Sequence, residues 1–499
     1  MAGLIERAMK RMGYIKPAAP APMIRALSAA QNSRLTESWT TELFGINVDL
    51  HHGLRKVRSR SRDLARNNDY AKSFLRMVKT NVVGPCGMTL QVQAPKDSGE
   101  IDVADSDFLE SRFADWGKKG NCDITGRYSW AQLQKLFIET VARDGEIIIR
   151  KIINRSKYGF QLQLIDPSVL DDQLIRDLPG GNKVRLGVEY DAVKRPIAYW
   201  LMKDDPNDPQ RTGYTMRYER VPAGEIWHSF LPEEINQLRG CPWLATPARR
   251  MWMLDGYEDA AMVAARVGAA KMGFWTTPDG NPEGLADGKS GDQFTTSAEA
   301  GHFDVAPPGH TLETWDPQYP HDGFAAFVKS QLRGISSALG VSYSGLANDL
   351  ESVNFSSMRS GLLVERDVWI ALQEWMIEEF CEPVYEQWLS IAGLTKQLGN
   401  LPVQTKFEKF NTKSFQGPRW PWVDPLKDVS ANVMEIENGL KSRGQVIREK
   451  GGDPEKIWKE LEKEQKRLKN LLPQSKPASA GFFSPNGDQN ANADSNANQ

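Results

Sequence analysis

Apolar residues recur at helical spacing through residues 321–395 in two runs separated by a polar stretch. In the first run Phe324, Phe327, Leu332, Ile335 and Leu339 share one side, with Lys329 and Arg333 four apart on another, and the pattern stops at Gly340. This predicts a helix over 324–339. The stretch GVSYSGLANDLESVNFSS (340–357) mixes Gly, Ser, Asn and Asp with Val341, Tyr343, Leu346 and Phe355, so it reads as a long loop. A second helix starts at Ser356 or Ser357. Its stripe of Met358, Leu362, Trp369, Leu372, Met376, Phe380, Val384 and Trp388 runs over about 35 residues, or ~50 Å, with a kink expected at Pro383. Loops longer than about 12–15 residues usually have a task of their own, so this arrangement already points away from a small enzyme.

The remaining pattern predicts a mixed α+β body over 49–246. Leu54, Val57, Leu64, Tyr70, Phe74, Leu75 and Val78 are spaced as on helices. MTLQVQA (88–94) alternates as a strand, and 101–117 is helical through Phe108, Leu109, Phe113 and Trp116. Ser129 and Gln132 form a capping box in front of a helix carrying Trp130, Leu133, Phe137 and Val141. Strands are expected at 145–153, 160–166, 184–190 and 196–202. Pro247 opens a helix to about Lys271 that is rich in Ala and Gly, which suits tight packing of helices side by side. Short strands follow in 272–320. Residues 402–425 are rich in aromatics and proline, and 426–470 is helical, with Asp453 capping a helix that has Pro454 at its first position. The start, 1–48, combines a short basic amphipathic segment with a Pro/Ala linker and reads either as disordered or as an interaction arm. The Ser/Asn/Ala-rich tail 474–499 reads as disordered.

Composition narrows the function. The 499 residues suffice for two to four domains, and the 40% hydrophobic and 25% charged fractions are those of an ordinary soluble protein. A net charge of −2 supplies no global attraction to nucleic acid. Four dispersed cysteines fit a reducing compartment, and no run of 18 apolar residues or secretory pattern occurs, so synthesis in the cytoplasm without membrane insertion is expected. The basic run RKVRSRSR (55–62) could be a nucleic-acid patch, although such runs are more often a solvated or subunit-facing helix side. GLADGKS (284–290) is one residue short of a phosphate-cradling loop, GVSYSG (340–345) has the wrong glycine spacing for a nucleophile elbow, and the histidines lack metal-ligand spacing. No catalytic constellation, metal site or cofactor is expected.

Four blocks carry a resemblance: RSRDLARNNDYAKSFLRMVKTNVVGPCGMTLQ (60–91), EIWHSFLPEEINQLRGCPWLATP (225–247), DLESVNFSSMRSGLLVERD (349–367) and RWPWVDPLKDVSANVMEIENGLKSRGQVIREKGGDPEKIW (419–458). In these, and over most of 49–470, the chain resembles the portal proteins of lambda-type tailed bacteriophages. The resemblance implies an α+β portal fold: a wing (49–246, rejoined by 396–425), a two-helix stem (247–271 and 321–339), a β-rich clip inserted between the stem helices (272–320), a tunnel loop (340–357), a long kinked helix (358–395) and a helical crown (426–473). It also implies a ring, usually of twelve copies, at one capsid vertex. Implied partners are the terminase large subunit, the major capsid protein, scaffold or protease proteins, a head-completion adaptor, and double-stranded DNA passing without sequence preference. No membrane is implied, and the place of work is the virion.

Twelve helices packed ~9 Å apart close a ring roughly 34 Å across, leaving an opening of about 24 Å once helix radius is removed. A duplex that must slide is held back by a strongly basic lining, so a mixed or acidic lining fits. On this reading Ser342, Tyr343, Ser344, Asn348, Asp349, Glu351 and Ser352 belong to the tunnel loop, with Lys329 and Arg333 modulating the channel from the stem. Asp279, Lys289, His302 and Asp304 in the clip are candidates for docking terminase or adaptor. Rival readings are another ring or shell protein, or a metal-dependent nucleic-acid enzyme.

Overall fold

The computed structural model describes residues 44–208, 217–269, 273–276, 311–314, 323–351, 355–420 and 425–471. Outside the described residues lie most of the N-terminal arm, nearly all of 272–320 with Asp279, Lys289, His302 and Asp304, the loop residue Ser352, and the tail from 472.

Helix α1 (Ile46–Asn67) ends where Asn68 turns extended, and the Asn68 side chain accepts from the Ala71 N–H at 3.1 Å, starting α2 (Asp69–Val78). A π-turn (Lys79–Val83) leads to β1 (Thr89–Val92), α3 (Val103–Trp116) and α4 (Trp130–Asp144), the last opened by the Ser129–Gln132 capping box that its sequence predicts. Strands β2 (Glu146–Ile153) and β3 (Phe160–Ile165) pair antiparallel. The expected strand over 184–190 is instead a hairpin that follows β4 (Arg176–Asp177). Its arms are β5 (Lys183–Arg185) and β6 (Val188–Tyr190), joined by Leu186 at φ 54° and Gly187 at φ 81°. Two consecutive left-handed residues reverse the chain, and a buried leucine in such a turn gives no sequence signal. Strands β7 (Pro196–Met202) and β8 (Tyr218–Pro222) complete a five-stranded antiparallel sheet, while β9 (Ile226–Phe230) joins β2 to give the order β3-β2-β9.

Helix α5 (Ala248–Ala269) leads to β10 (Gly273–Thr276), which pairs antiparallel with β11 (Thr311–Thr314), and α6 (Phe324–Leu339) follows, ending on left-handed Gly340 as expected. The 340–357 stretch is not all loop. It holds the short helix α7 (Tyr343–Ala347), because the Ser342 hydroxyl accepts from the Gly345 N–H at 3.2 Å and caps one turn. The long helix is divided into α8 (Phe355–Met376), a π-turn (Ile377–Cys381) and α9 (Glu382–Leu394). Pro383 has no N–H and its ring crowds the preceding turn, so the wider turn falls just ahead of it. After α10 (Phe407–Phe410), β12 (Lys413–Gln416) pairs with β1, so the chain returns to its first body. Helices α11 (Pro425–Glu437), α12 (Arg443–Glu449) and α13 (Pro454–Leu471) close the described chain.

The core lies where α2, α3, α4 and β2 meet the second half of the long helix. Phe113 stands at its centre, within 5.1 Å of Trp388, 5.6 Å of Tyr385 and 5.8 Å of Trp130 by ring centroid, and Phe137 stacks on Phe380 at 4.5 Å. The apolar stripe read from sequence is what buries Phe380, Val384 and Trp388 there. Each such side chain contributes about 1.5–3 kcal/mol through burial, which anchors the distal end of the long helix, and Met251 and Leu254 of α5, Leu332 and Ile335 of α6 and Leu346 of α7 join the same core.

Candidate functional site

The loop after α6 is tied to its own helices by a compact set of contacts. Tyr343, at the start of α7, lies beside two cations of α6, with the Lys329 Nζ 5.6 Å and the Arg333 guanidinium 5.7 Å from its ring centroid. The Tyr343 hydroxyl donates to Asp349 Oδ2 at 2.7 Å, Lys329 Nζ lies 3.2 Å from the same oxygen, and the Glu351 N–H donates to Oδ1 at 3.0 Å. These contacts, the tyrosine hydroxyl first, hold the Asp349 carboxyl down at about 2, and burial together with Asp349 pushes the Tyr343 hydroxyl up to about 12. Asn348 sits in the left-handed region at φ 53° and ends α7. Asn348 and Glu351 are exposed, Ser342, Ser344 and Asp349 are half-buried, and Leu346 anchors the segment in the core.

Two residues that the sequence reading did not single out fix this loop. Glu365 of α8, almost fully buried, accepts from the Ser342 N–H at 3.3 Å and from the Trp369 indole N–H at 3.3 Å, joining the loop to the long helix. Gly334 of α6 lets Arg250 of α5 cross, since a Cβ there would lie 1.5 Å from Arg250 Nη1. The α5–α6 contact continues through Tyr257, whose ring is 5.5 Å from Phe324 and 5.0 Å from Phe327. Helix α5 is acidic along this stretch. Burial and neighbouring acids raise the pKa of Asp255, and the same causes outweigh the hydrogen bond that Glu258 accepts from the Tyr70 hydroxyl at 3.2 Å. On the side of α5 away from Leu254 and Ala261, Trp252, Met253 and Val263 are exposed, by 70% for Trp252.

The basic run 55–62 is divided between surface and interior: Arg55, Lys56 and Arg60 are exposed, whereas Arg58 and Ser61 are buried and Arg62 is half-buried. Arg58 is buried and donates to Glu146 Oε1 at 2.8 Å, and Arg62 bridges Asp144 and Asp166, each at 2.7 Å, while Arg55 reaches Asp172 at 2.9 Å. Glu146, at the start of β2, also accepts from Arg239 Nη2 at 2.5 Å and from the Gly240 N–H at 2.9 Å, and lies 3.0 Å from His228 Nε2. Burial alone would raise its pKa, but the charges of Arg239 and Arg58 prevail and hold it well below the usual carboxylate range. The hub needs glycine at 145 and 240. A Cβ on Gly240 would lie 2.1 Å from the Gly145 carbonyl oxygen, and one on Gly145 2.5 Å from the Cys241 carbonyl carbon. Glu146 sits 88 positions from Arg58 in sequence, so nothing local announces the pairing.

Among the described residues no group of three or more His, Cys, Asp or Glu could hold a metal, and no helix is long and apolar enough to cross a membrane. The family described as phage portal protein, lambda family, matches residues 32–373, well over half of the chain. This chain belongs to that family. The portal chain is 35% identical over 468 residues to a probable portal protein of Halomonas phage phiHAP-1, covering 91% of this chain and 90% of the relative. It is 21% identical over 503 residues to portal protein B of Escherichia phage lambda, covering 89% and 90%. Among solved structures it is similar to a chain in the neck of an empty gene transfer agent particle, at 15% identity and a TM-score of 0.42, covering 81% of this chain and 95% of that one. It is a phage portal protein.

Proposed function

We propose that this portal chain forms a closed ring, of twelve copies, at one capsid vertex, with α5 and α6 as the stem around a central channel and 272–320 as the clip between them. Double-stranded DNA enters through this ring under the terminase large subunit and later leaves through an adaptor into the tail. The ring also nucleates capsid assembly with the major capsid protein and its scaffold or protease. The observation that carries the reading is α5: a helix anchored on one side and exposing Trp252, Met253 and Val263 on the other calls for neighbours, and copies around a ring supply them. The balanced charges of α5, three arginines against three acids, and the paired charges of the 340–351 loop suit a lining along which phosphates slide.

In this reading Asp349 positions the loop through Tyr343 and Lys329, and Glu351 is the exposed acid that meets the duplex. Asn348 and Ser344 offer neutral polar groups beside it. Ser352 belongs to the same loop, and Asp279, Lys289, His302 and Asp304 are proposed for terminase or adaptor docking from their place in the clip. The test is a packaging assay with heads built on wild-type or Asp349→Asn/Glu351→Gln portals, scored by nuclease-protected DNA. Rings of normal size with altered DNA loading or retention are expected; normal loading in the double variant would remove the loop from the account, and packaging by heads lacking the chain would remove the function.

A further inference from the structure

We infer that the segment just ahead of the first described residue, 35–43, seats Trp39 in an apolar pocket of its own copy. The pocket has a volume of about 340 Å³ and lies where the 231–246 segment, α6 and α8 meet. Leu231, Cys241 and Trp243 line it from that segment, Leu339 from α6, and Val368 and Leu372 from α8, with Glu233 the one charged group among its described lining residues. Val368 is 40% exposed and Trp243, Leu339 and Leu372 are half-buried, so this lining is left partly open to water. An apolar cavity of this size takes a large side chain.

The place where the described chain begins points to the occupant. The Ile46 N–H donates to Glu234 Oε2 at 3.1 Å, and the Asn47 side chain donates to the Asn236 carbonyl and accepts from the Leu238 N–H, each at 2.9 Å, so the start of α1 is tied to the segment that carries Leu231, Glu233 and Cys241. Ile46, Leu238 and Cys241 pack on one small core around Leu50, Leu54 and Leu186, so Cys241 belongs both to that core and to the wall of the pocket. Ahead of Ile46, Leu35, Trp39 and Leu43 recur at every fourth position among polar residues, the spacing of one helix side, and Trp39 is the only tryptophan in 1–43. The lambda-family portal match begins at residue 32, so this segment falls within the family domain.

Reach agrees with this. The stretch from Trp39 to Ile46 spans at most ~24 Å extended and ~10 Å as helix. A tether this short holds Trp39 at high local concentration beside its own pocket and favours that pocket over one on a second copy. Trp369 also lines the pocket, and its indole N–H donates to Glu365, which accepts from the Ser342 N–H. A seated Trp39 therefore clamps the end of α6 and the first half of α8 against the 231–246 segment and steadies the base of the loop that carries Asp349. The contact lies within one copy and does not depend on the ring.

The test is thiol cross-linking of the full chain with a short bismaleimide, in a Cys86→Ser background because Cys86 is exposed. Thr40→Cys puts a thiol beside Trp39, and Thr246→Cys puts one on the exposed rim of the pocket. Circular dichroism checks that each variant folds. The two thiols are expected to be linked within one chain, seen as a cross-linked peptide from the single-chain band of a denaturing gel. Adding Trp39→Ala is expected to lower the yield about tenfold, the effect of losing one buried aromatic side chain. A link found only in bands of two or more chains puts the segment on a second copy and overturns the contact within one copy. No link, or a link whose yield is unchanged by Trp39→Ala, overturns the docking of Trp39.

Discussion

The hub around Glu146 and the α5–α6 pair solve opposite problems. In the hub, charges that are costly to bury are enclosed within one chain, with every Glu146 oxygen accepting from an arginine, a histidine partner at 3.0 Å and a backbone N–H. In the helix pair, apolar side chains that are favourable to bury, Trp252, Met253, Val263 and Phe327, are left in water. The first region is complete in a single copy. In the proposed ring the second is completed by other copies. On the proposed reading the hub stabilises each copy by itself, and the α5–α6 pair supplies the surface between copies.

Substitution should separate the two regions sharply. The largest effect is expected for Glu146→Gln, which leaves Arg58 and Arg239 buried without their anion. The loss is about 3–5 kcal/mol in denaturant unfolding, because removing one partner of a buried pair strands the other. The pH dependence has a definite sign. Glu146 has a folded-state pKa well below 4.5, so its contribution is present above that value and is lost as pH falls through the lower folded-state pKa. Wild-type stability should therefore decline in strong acid, and the variant should show a shallower decline. Equal slopes would mean that the hub carries no such linkage. A smaller effect on folding is expected for Val263→Asp, within about 0.5 kcal/mol of wild type, since the site is exposed. Its effect should fall on assembly, as a shift from rings to single chains in sedimentation. Destabilised single chains would instead place Val263 in the self-sufficient class.

The helices were legible because apolar spacing and capping residues act locally. Phe324 to Leu339, the Ser129–Gln132 box and Asp453–Pro454 could be read without any partner in view. The Leu186–Gly187 turn was not legible, since its conformation is imposed by burial of Leu186 and by Arg239, whose Nη1 donates to the Leu186 carbonyl at 2.7 Å. The pairing of Arg55, Arg58 and Arg62 was hidden for the same reason, as their acids come from β2, the end of α4 and the 166–172 segment. At the candidate site, Tyr343, Asp349 and Lys329 were identified from sequence as members of one region. Their mutual contact, and the role of Glu365 in holding Ser342, arise from the fold of α7 against α6 and α8.

The most direct measurement is the native mass of the purified chain, combined with class averages from negative-stain images. The account predicts a closed ring of about twelve copies with a central opening of about 24 Å, set by helices packed ~9 Å apart. A folded single chain that stays monomeric at all concentrations, and in the presence of capsid and scaffold proteins, would contradict it.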